Sequence, residues 1–171
     1  MCTEKEDYLA VSRAMQILAE NAGIRGMIGG QVADIEAEDR VDELTEQQIL
    51  YIHTHKTGAL IKAAMQIGAV LGGDVDETIL QQIGQCAMNI GVAFQIQDDI
   101  LDVTGDSAEL GKPIGSDAAN GKQTYVTLKG LEAAQKEVER LSEEAIQILR
   151  EFPGDHEFME ALIRHLINRR S

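Results

Sequence analysis

Phe94-Gln95-Ile96-Gln97-Asp98-Asp99-Ile100-Leu101-Asp102 is the stretch on which the reading of this chain turns. On a helix Asp98 and Asp102 stand at i and i+4, so both carboxylates share one face a turn apart. Gln95 lies one turn earlier on that face, and Asp99 sits about 100° around from Asp98. Like charges this close repel, by about 4 kcal/mol for two unit charges 4 Å apart at an effective dielectric of 20. The middle of a helix gives no dipole relief, and Asp is a poor helix former. The neighbours Ile96, Ile100, Leu101 and Val103 are apolar. The cluster therefore either faces bulk water or awaits a cation. Carboxylates with no nearby Cys or paired His favour a hard ion, Mg²⁺ or Mn²⁺. An EF-hand loop starting at Asp102 does not fit, because Ser107 stands where the turn glycine belongs. Mg²⁺ takes one or two carboxylates together with substrate phosphates, so the motif asks for a phosphate-bearing ligand.

Outward from this stretch the chain reads as all-α. Ala, Leu, Ile, Gln, Glu and Met fill the periodic segments, and no run alternates apolar and polar residues for long. The motif belongs to a helix capped by Asp74 or Asp76 and ending near Thr104, with Gly105 behind it. Before it, Thr45 and Gln48 form a capping box, and the helix they open runs from about Glu46 to Leu71, stopped by Gly72-Gly73. Earlier still, a helix over about Glu6–Asn21 carries Tyr8, Val11, Met15 and Leu18 at helical spacing. A second one starts near Gly26 with Gln31, Asp34 and Ile35. After the motif, residues 105 to 121 form the one long loop, a length that is functional or mobile in a compact domain. Tyr125–Arg150, with Gly130 as a bend point, and Glu157–Arg169 complete the set, separated by Pro153-Gly154. The 171 residues carry no repeat or linker and read as a single helical bundle.

Composition limits the partners. A net charge of −14 argues against nucleic acid. No apolar run approaches the ~20 residues that span a bilayer, and the amino-terminal MCTEKEDYL has no apolar signal core. Cys2 and Cys86 are too few for a disulfide scaffold or a zinc site. A cytoplasmic protein is expected. Among the few cations, Lys112 and Lys122 bracket the glycine-rich loop, and Lys56-Thr57 lies inside the long third helix, where both could face the acidic helix. His53 and His55 read as structural or outer-shell groups. His156 and His165 show no partner in the pattern.

Four ordered segments now carry a resemblance. FQIQDDILDVTGD resembles the second aspartate-rich motif of the trans-prenyl diphosphate synthases, and GKPIGSDAANGKQTYV the loop behind it. HTHKTGALI is similar to their Lys-Thr segment, and GMIGGQVADIEAE to their Gly-Gly-Gln…Asp helix. The wording is most like that of bacterial farnesyl diphosphate synthases and extends from about Ala14 to Arg170. The resemblance implies an isoprenoid-synthase-type helical bundle and a Mg²⁺-dependent prenyltransferase (Mn²⁺ as the alternative ion). Such an enzyme condenses isopentenyl diphosphate with dimethylallyl or geranyl diphosphate. It implies metal ligation by Asp98 and Asp102 with Asp99 in support, and diphosphate binding by Lys56, Lys112 and Lys122. Thr57 and Gln95 would stabilise the allylic carbocation, Phe94 would line the isoprenoid pocket, and Asp117 would act from behind the ligands. Arg169 and Arg170 would lie near the second substrate.

The family also has, upstream of the segments matched here, a first aspartate-rich motif followed by paired arginines and a glycine-lysine-arginine segment; neither occurs here, and the sole Asp-Asp pair is Asp98-Asp99. The expectation is a single partial domain, residues 1–171, equivalent to the carboxyl-terminal part of the fold with its first helices missing, and inactive alone. It would expose an apolar face and form a homodimer or a helix-swapped oligomer. The alternatives are one half of a split synthase or a non-catalytic helical subunit. A terpene cyclase, the other all-α class with this motif, pairs it with a second metal triad that is not readable here.

Overall fold

The computed structural model describes residues 5–38, 43–73, 75–105 and 122–169, and these are helical with no strand among them. The elements are α1 (Lys5–Ala22), α2 (Met27–Glu38), α3 (Glu46–Ile52), a six-residue π-helical segment (His53–Gly58), α4 (Ala59–Gly72), α5 (Glu77–Thr104), α6 (Tyr125–Lys129), α7 (Leu131–Arg150) and α8 (Glu157–Asn168). Calls on Cys2, Asp74, Lys112, Asp117 and Arg170, and most of the long loop, lie outside the described residues.

Local chemistry sets the helix ends. Gln48 N–H donates to Thr45 Oγ1 at 3.3 Å, while Thr45 N–H donates to Gln48 Oε1 at 2.9 Å, the reciprocal capping box read from sequence. Asp76, not a matter of choice any longer, caps α5 by accepting the Ile79 N–H at 2.8 Å. Gly130 is a full break between α6 and α7. Its φ of 84° lies where a side chain would be strained, so one predicted helix becomes two. The long third helix also departs from expectation, because its centre is π-helical at His53–Gly58.

Helix α5 is the axis of the bundle. Its Ala93, Ile96 and Ile100 pack with Val126, Ala134, Val138 and Leu141, while Cys86 and Ile90 pack with Ala145, Ile146 and Ile163. A third cluster joins Ile17 of α1, Ala63 and Val70 of α4 and Leu80 of α5. Cys86 is fully enclosed and gives its thiol to the Ala145 carbonyl at 3.4 Å. Burial pushes that thiol up to about 11, so it is core rather than nucleophile.

Helices α1 and α2 show apolar residues outward, in line with the expected exposed apolar face. α1 buries Ala14 and Ile17, and leaves Tyr8, Met15 and Leu18 exposed; α2 leaves Ile28, Val32 and Ile35 exposed. Both outward stripes keep helical spacing. No helix among the described residues is long and apolar enough to cross a membrane.

Candidate functional site

The site lies where α2, the π-helical segment, α5 and the stretch leading into α6 converge. Two close backbone approaches fix the π-helical segment. A Cβ on Gly30 of α2 would lie 2.2 Å from the Lys56 nitrogen, and one on Gly91 of α5 would lie 2.5 Å from Gly58 Cα. Both glycines are therefore required by contact with backbone, which cannot give way as a flexible side chain can. The π-helical segment clamped between them adds an extra residue per turn, the kind of local irregularity that recurs at functional positions. It carries His53, Lys56 and Thr57 to one side.

On that side is a cavity of about 210 Å³, lined by Asp34, Ile49, Ile52, His53, Lys56, Thr57, Gln95, Asp98, Asp99, Lys122, Gln123 and Thr124. Six of the site residues singled out from sequence (Lys56, Thr57, Gln95, Asp98, Asp99 and Lys122) thus meet, drawn from three separated segments. A larger groove of about 490 Å³ runs between α2 and α3. Among the described residues Glu36 is its sole charged lining residue.

The three aspartates of the motif diverge. Asp98 lines the cavity with a half-exposed side chain, and its Oδ1 receives Arg169 Nη2 at 2.9 Å. Asp99 also lines the cavity, but its Oδ2 accepts the Tyr125 N–H at 2.9 Å, tying the start of α6 to α5. Asp102 is 2% exposed and does not line the cavity. The shared face expected for Asp98 and Asp102 therefore opens on this cavity at Asp98 alone. Arg169 also lies over the Phe94 ring, 4.0 Å from its centroid, a cation–π contact. Phe94 itself is not part of the cavity wall.

Two side chains that sequence reading left without a catalytic or binding role complete the wall. Asp34, 4% exposed, receives Lys56 Nζ on Oδ2 at 2.5 Å and Lys122 Nζ on Oδ1 at 3.0 Å. Burial alone would raise its pKa, but hydrogen bonds and charge from Lys56 and Lys122 overcome this and hold the carboxyl below its usual range. The Gly-Gly-Gln…Asp wording names Asp34 but not its partners; only the fold brings the lysines to it. His53 is buried, with Nε2 3.6 Å from Asp99 Oδ2. Desolvation, aided by Lys122, pushes the imidazole down to about 4, so it is neutral at ordinary pH. Among the described residues its Nδ1 has no hydrogen-bond partner.

A polyprenyl synthetase family model matches residues 3–164. The chain belongs to the polyprenyl synthetase family. Within it, the farnesyl diphosphate synthase of Escherichia coli (strain K12) is 45% identical over 155 residues, covering 89% of this chain and 51% of that protein. The farnesyl diphosphate synthase of Haemophilus influenzae is 41% identical over 92% of this chain and 52% of its own length. Among solved polyprenyl-synthetase relatives, the Helicobacter pylori geranyltransferase complexed with magnesium and isoprenyl diphosphate superposes with a TM-score of 0.77. It is 32% identical and covers 97% of this chain and 52% of that one. An FPP/GFPP synthase from Zymomonas mobilis gives a TM-score of 0.81 at 31% identity, over 94% and 52%. The chain spans about half the length of the relatives it matches, aligning with their carboxyl-terminal part.

Among the described residues no group of three His, Cys, Asp or Glu could by itself hold a metal ion. A half-exposed Asp98 on a polar cavity nonetheless suits Mg²⁺, which keeps waters and takes one or two carboxylates plus phosphates.

Proposed function

We propose that this chain supplies the allylic-diphosphate side of a prenyl-transfer site, for the condensation of isopentenyl diphosphate with dimethylallyl or geranyl diphosphate. The observation that carries the reading is the convergence of Lys56, Thr57, Gln95, Asp98 and Lys122 on one polar cavity. In prenyl transfer the carbon–oxygen bond to the diphosphate breaks with its electron pair going to oxygen. Catalysis then depends on groups that meet negative charge growing on the leaving diphosphate and positive charge left on the allyl unit. In this reading Lys56 and Lys122 meet the first, and Thr57 and Gln95 offer oxygen dipoles to the second. Asp98, with Asp99 and Asp102 as the remaining motif carboxylates, would hold Mg²⁺, which when bound would supply Lewis-acid assistance to diphosphate departure. Lys112 is proposed to serve the same diphosphate, Asp117 to act from behind the metal ligands, and Arg169 and Arg170 to serve the second substrate. The buried thiol and the neutral, enclosed His53 take no part in the proposed transfer.

The outward apolar stripes of α1 and α2 favour a complementary reading, in which the chain works only when another helical surface covers them. That surface belongs to a second copy or to a chain bearing the first aspartate-rich motif. The test is prenyl transfer with Mg²⁺, isopentenyl diphosphate and geranyl diphosphate, run on this chain alone and mixed with a polypeptide carrying that motif. Turnover in the mixture only is expected. Turnover by the chain alone would overturn the claim that the first motif is required, and absence of turnover in both would count against prenyl transfer.

A further inference from the structure

Asp34 is the most enclosed carboxylate on the cavity wall, and it faces a site that we read as binding an anion. A carboxylate there opposes a diphosphate by charge, and burying it is costly unless it is paired. A wall that needed positive charge alone would be better without it. What Asp34 supplies is position. Its two oxygens take one ammonium each, Lys56 at 2.5 Å and Lys122 at 3.0 Å. The lysines reach it from the π-helical segment and from the stretch ahead of α6. Both side chains remain about a third exposed (33% and 32%), and each is a flexible four-carbon stem ending in a point charge.

The backbone is arranged for this contact. Gly30 stands one turn before Asp34 on the buried side of α2 and lets that helix touch the backbone at Lys56. The same approach that presses α2 onto the π-helical segment puts the Asp34 carboxylate within reach of the Lys56 head. We propose that Asp34 is a positioning residue, whose buried carboxylate fixes the Lys56 and Lys122 ammonium groups as a pair aimed at the substrate's diphosphate. The inference rests on the diphosphate reading above. Asp34 touches no reacting atom; it acts through the lysines.

The experiment is calorimetric binding of inorganic pyrophosphate with Mg²⁺ to four forms of the full chain: unmodified, Asp34→Asn, Lys56→Met/Lys122→Met, and the triple variant. Asp34→Asn keeps the size of the side chain and removes its charge. It is expected to weaken pyrophosphate binding about tenfold or more, the scale on which groups behind a binding side chain act. In the background lacking both lysines it is expected to change nothing. Unchanged or tighter binding by Asp34→Asn would overturn the inference, and so would an equal loss with the lysines absent, which would mark a merely structural role. A second readout needs no ligand: the ¹⁵N-labelled Lys56 and Lys122 ammonium signals, protected in the unmodified chain, should broaden or vanish in Asp34→Asn. Persistence of both signals there would also overturn it. Circular dichroism checks that each variant folds. Should Asp34→Asn not fold, Asp34→Glu carries the same test, because its longer arm displaces both ammonium groups, and undiminished affinity would refute positioning. Failure of the unmodified chain to bind pyrophosphate is a distinct result that removes the diphosphate reading itself, and the inference with it.

Discussion

Helices α2 and α7 use their faces in opposite senses. α7 buries Ala134, Val138, Leu141, Ala145 and Ile146 and shows water a ladder in which Arg140 pairs with Glu137 and Glu144. α2 buries Gly30 and Asp34 and shows water Ile28, Val32 and Ile35. The difference separates two reasons for a helix to be where it is. α7 is held by the hydrophobic effect, so its inward residues are chosen for volume. α2 is held at a site, so its inward residues are chosen for contact distance and charge, and its apolar residues are left for another surface.

The largest effect on stability should come from the inward face of α7. Ile146→Ala removes a fully enclosed side chain from the α5–α7–α8 cluster and is expected to cost about 2–5 kcal/mol, measured by urea unfolding. A loss below ~1 kcal/mol would mean that this cluster tolerates a cavity and that α7 is not held by volume. On α2, the matching change is Gly30→Ala. Its new methyl would meet the Lys56 nitrogen at 2.2 Å and the His55 carbonyl carbon at 2.6 Å, so α2 and the π-helical segment must part. Overpacking of this kind costs about 1–3 kcal/mol. Unlike Ile146→Ala, it is expected to weaken pyrophosphate binding beyond its effect on folding, because it displaces Lys56.

Acid should also tell the two regions apart. His53 has its pKa lowered by burial to about 4, against 6.5 for an exposed imidazole. The unfolded chain therefore takes up a proton as pH falls through 6.5, while the folded chain resists until about 4. Stability is lost across that window, by up to about 3 kcal/mol. Replacing His53 with Gln should flatten this part of the pH profile of unfolding. An unchanged slope between pH 6.5 and 4 would show that the imidazole is not desolvated. Asp34 is shifted in the same direction, downward, but in a carboxyl that shift stabilises the fold: its contribution is present above the ordinary carboxylate range and fades as pH falls below it.

The contrast also explains what was legible in the sequence. Helix ends were readable where a side chain caps its own helix, as Thr45 with Gln48 and Asp76 with Ile79 do. The apolar spacing of α7 matches its buried face. On α1 the spacing of Tyr8, Met15 and Leu18 marked the helix but not the direction of the stripe, which points outward, because spacing shows that an apolar face exists and not which layer covers it. The π-helical turn at His53–Gly58 was invisible, since it is imposed by Gly30 and Gly91 from two other helices. Lys56, Thr57, Gln95, Asp98 and Lys122 were legible through motif wording. The pairing of Asp34 with Lys56 and Lys122 and the task of Asp99 in holding the Tyr125 N–H were not, because each depends on a partner far away in the chain.

The smallest effect on folding is expected on the outer face of α2, and it sharpens the comparison most. Val32 and Ile35 are about half exposed, at 48% and 53%, so replacing both with Lys removes little buried area. Lys is also the better helix former of the three. The unfolding free energy at low protein concentration should therefore change by no more than ~0.5 kcal/mol per site, as for ordinary surface substitutions. Association should respond differently. If the stripe serves a second helical surface, two ammonium groups placed in it would be desolvated on contact, and sedimentation equilibrium should show the chain shifting toward monomer. A loss of several kcal/mol at low concentration would instead mean that Val32 and Ile35 pack within their own chain. α2 would then be held as α7 is, by volume, and the distinction between the two helices would fall.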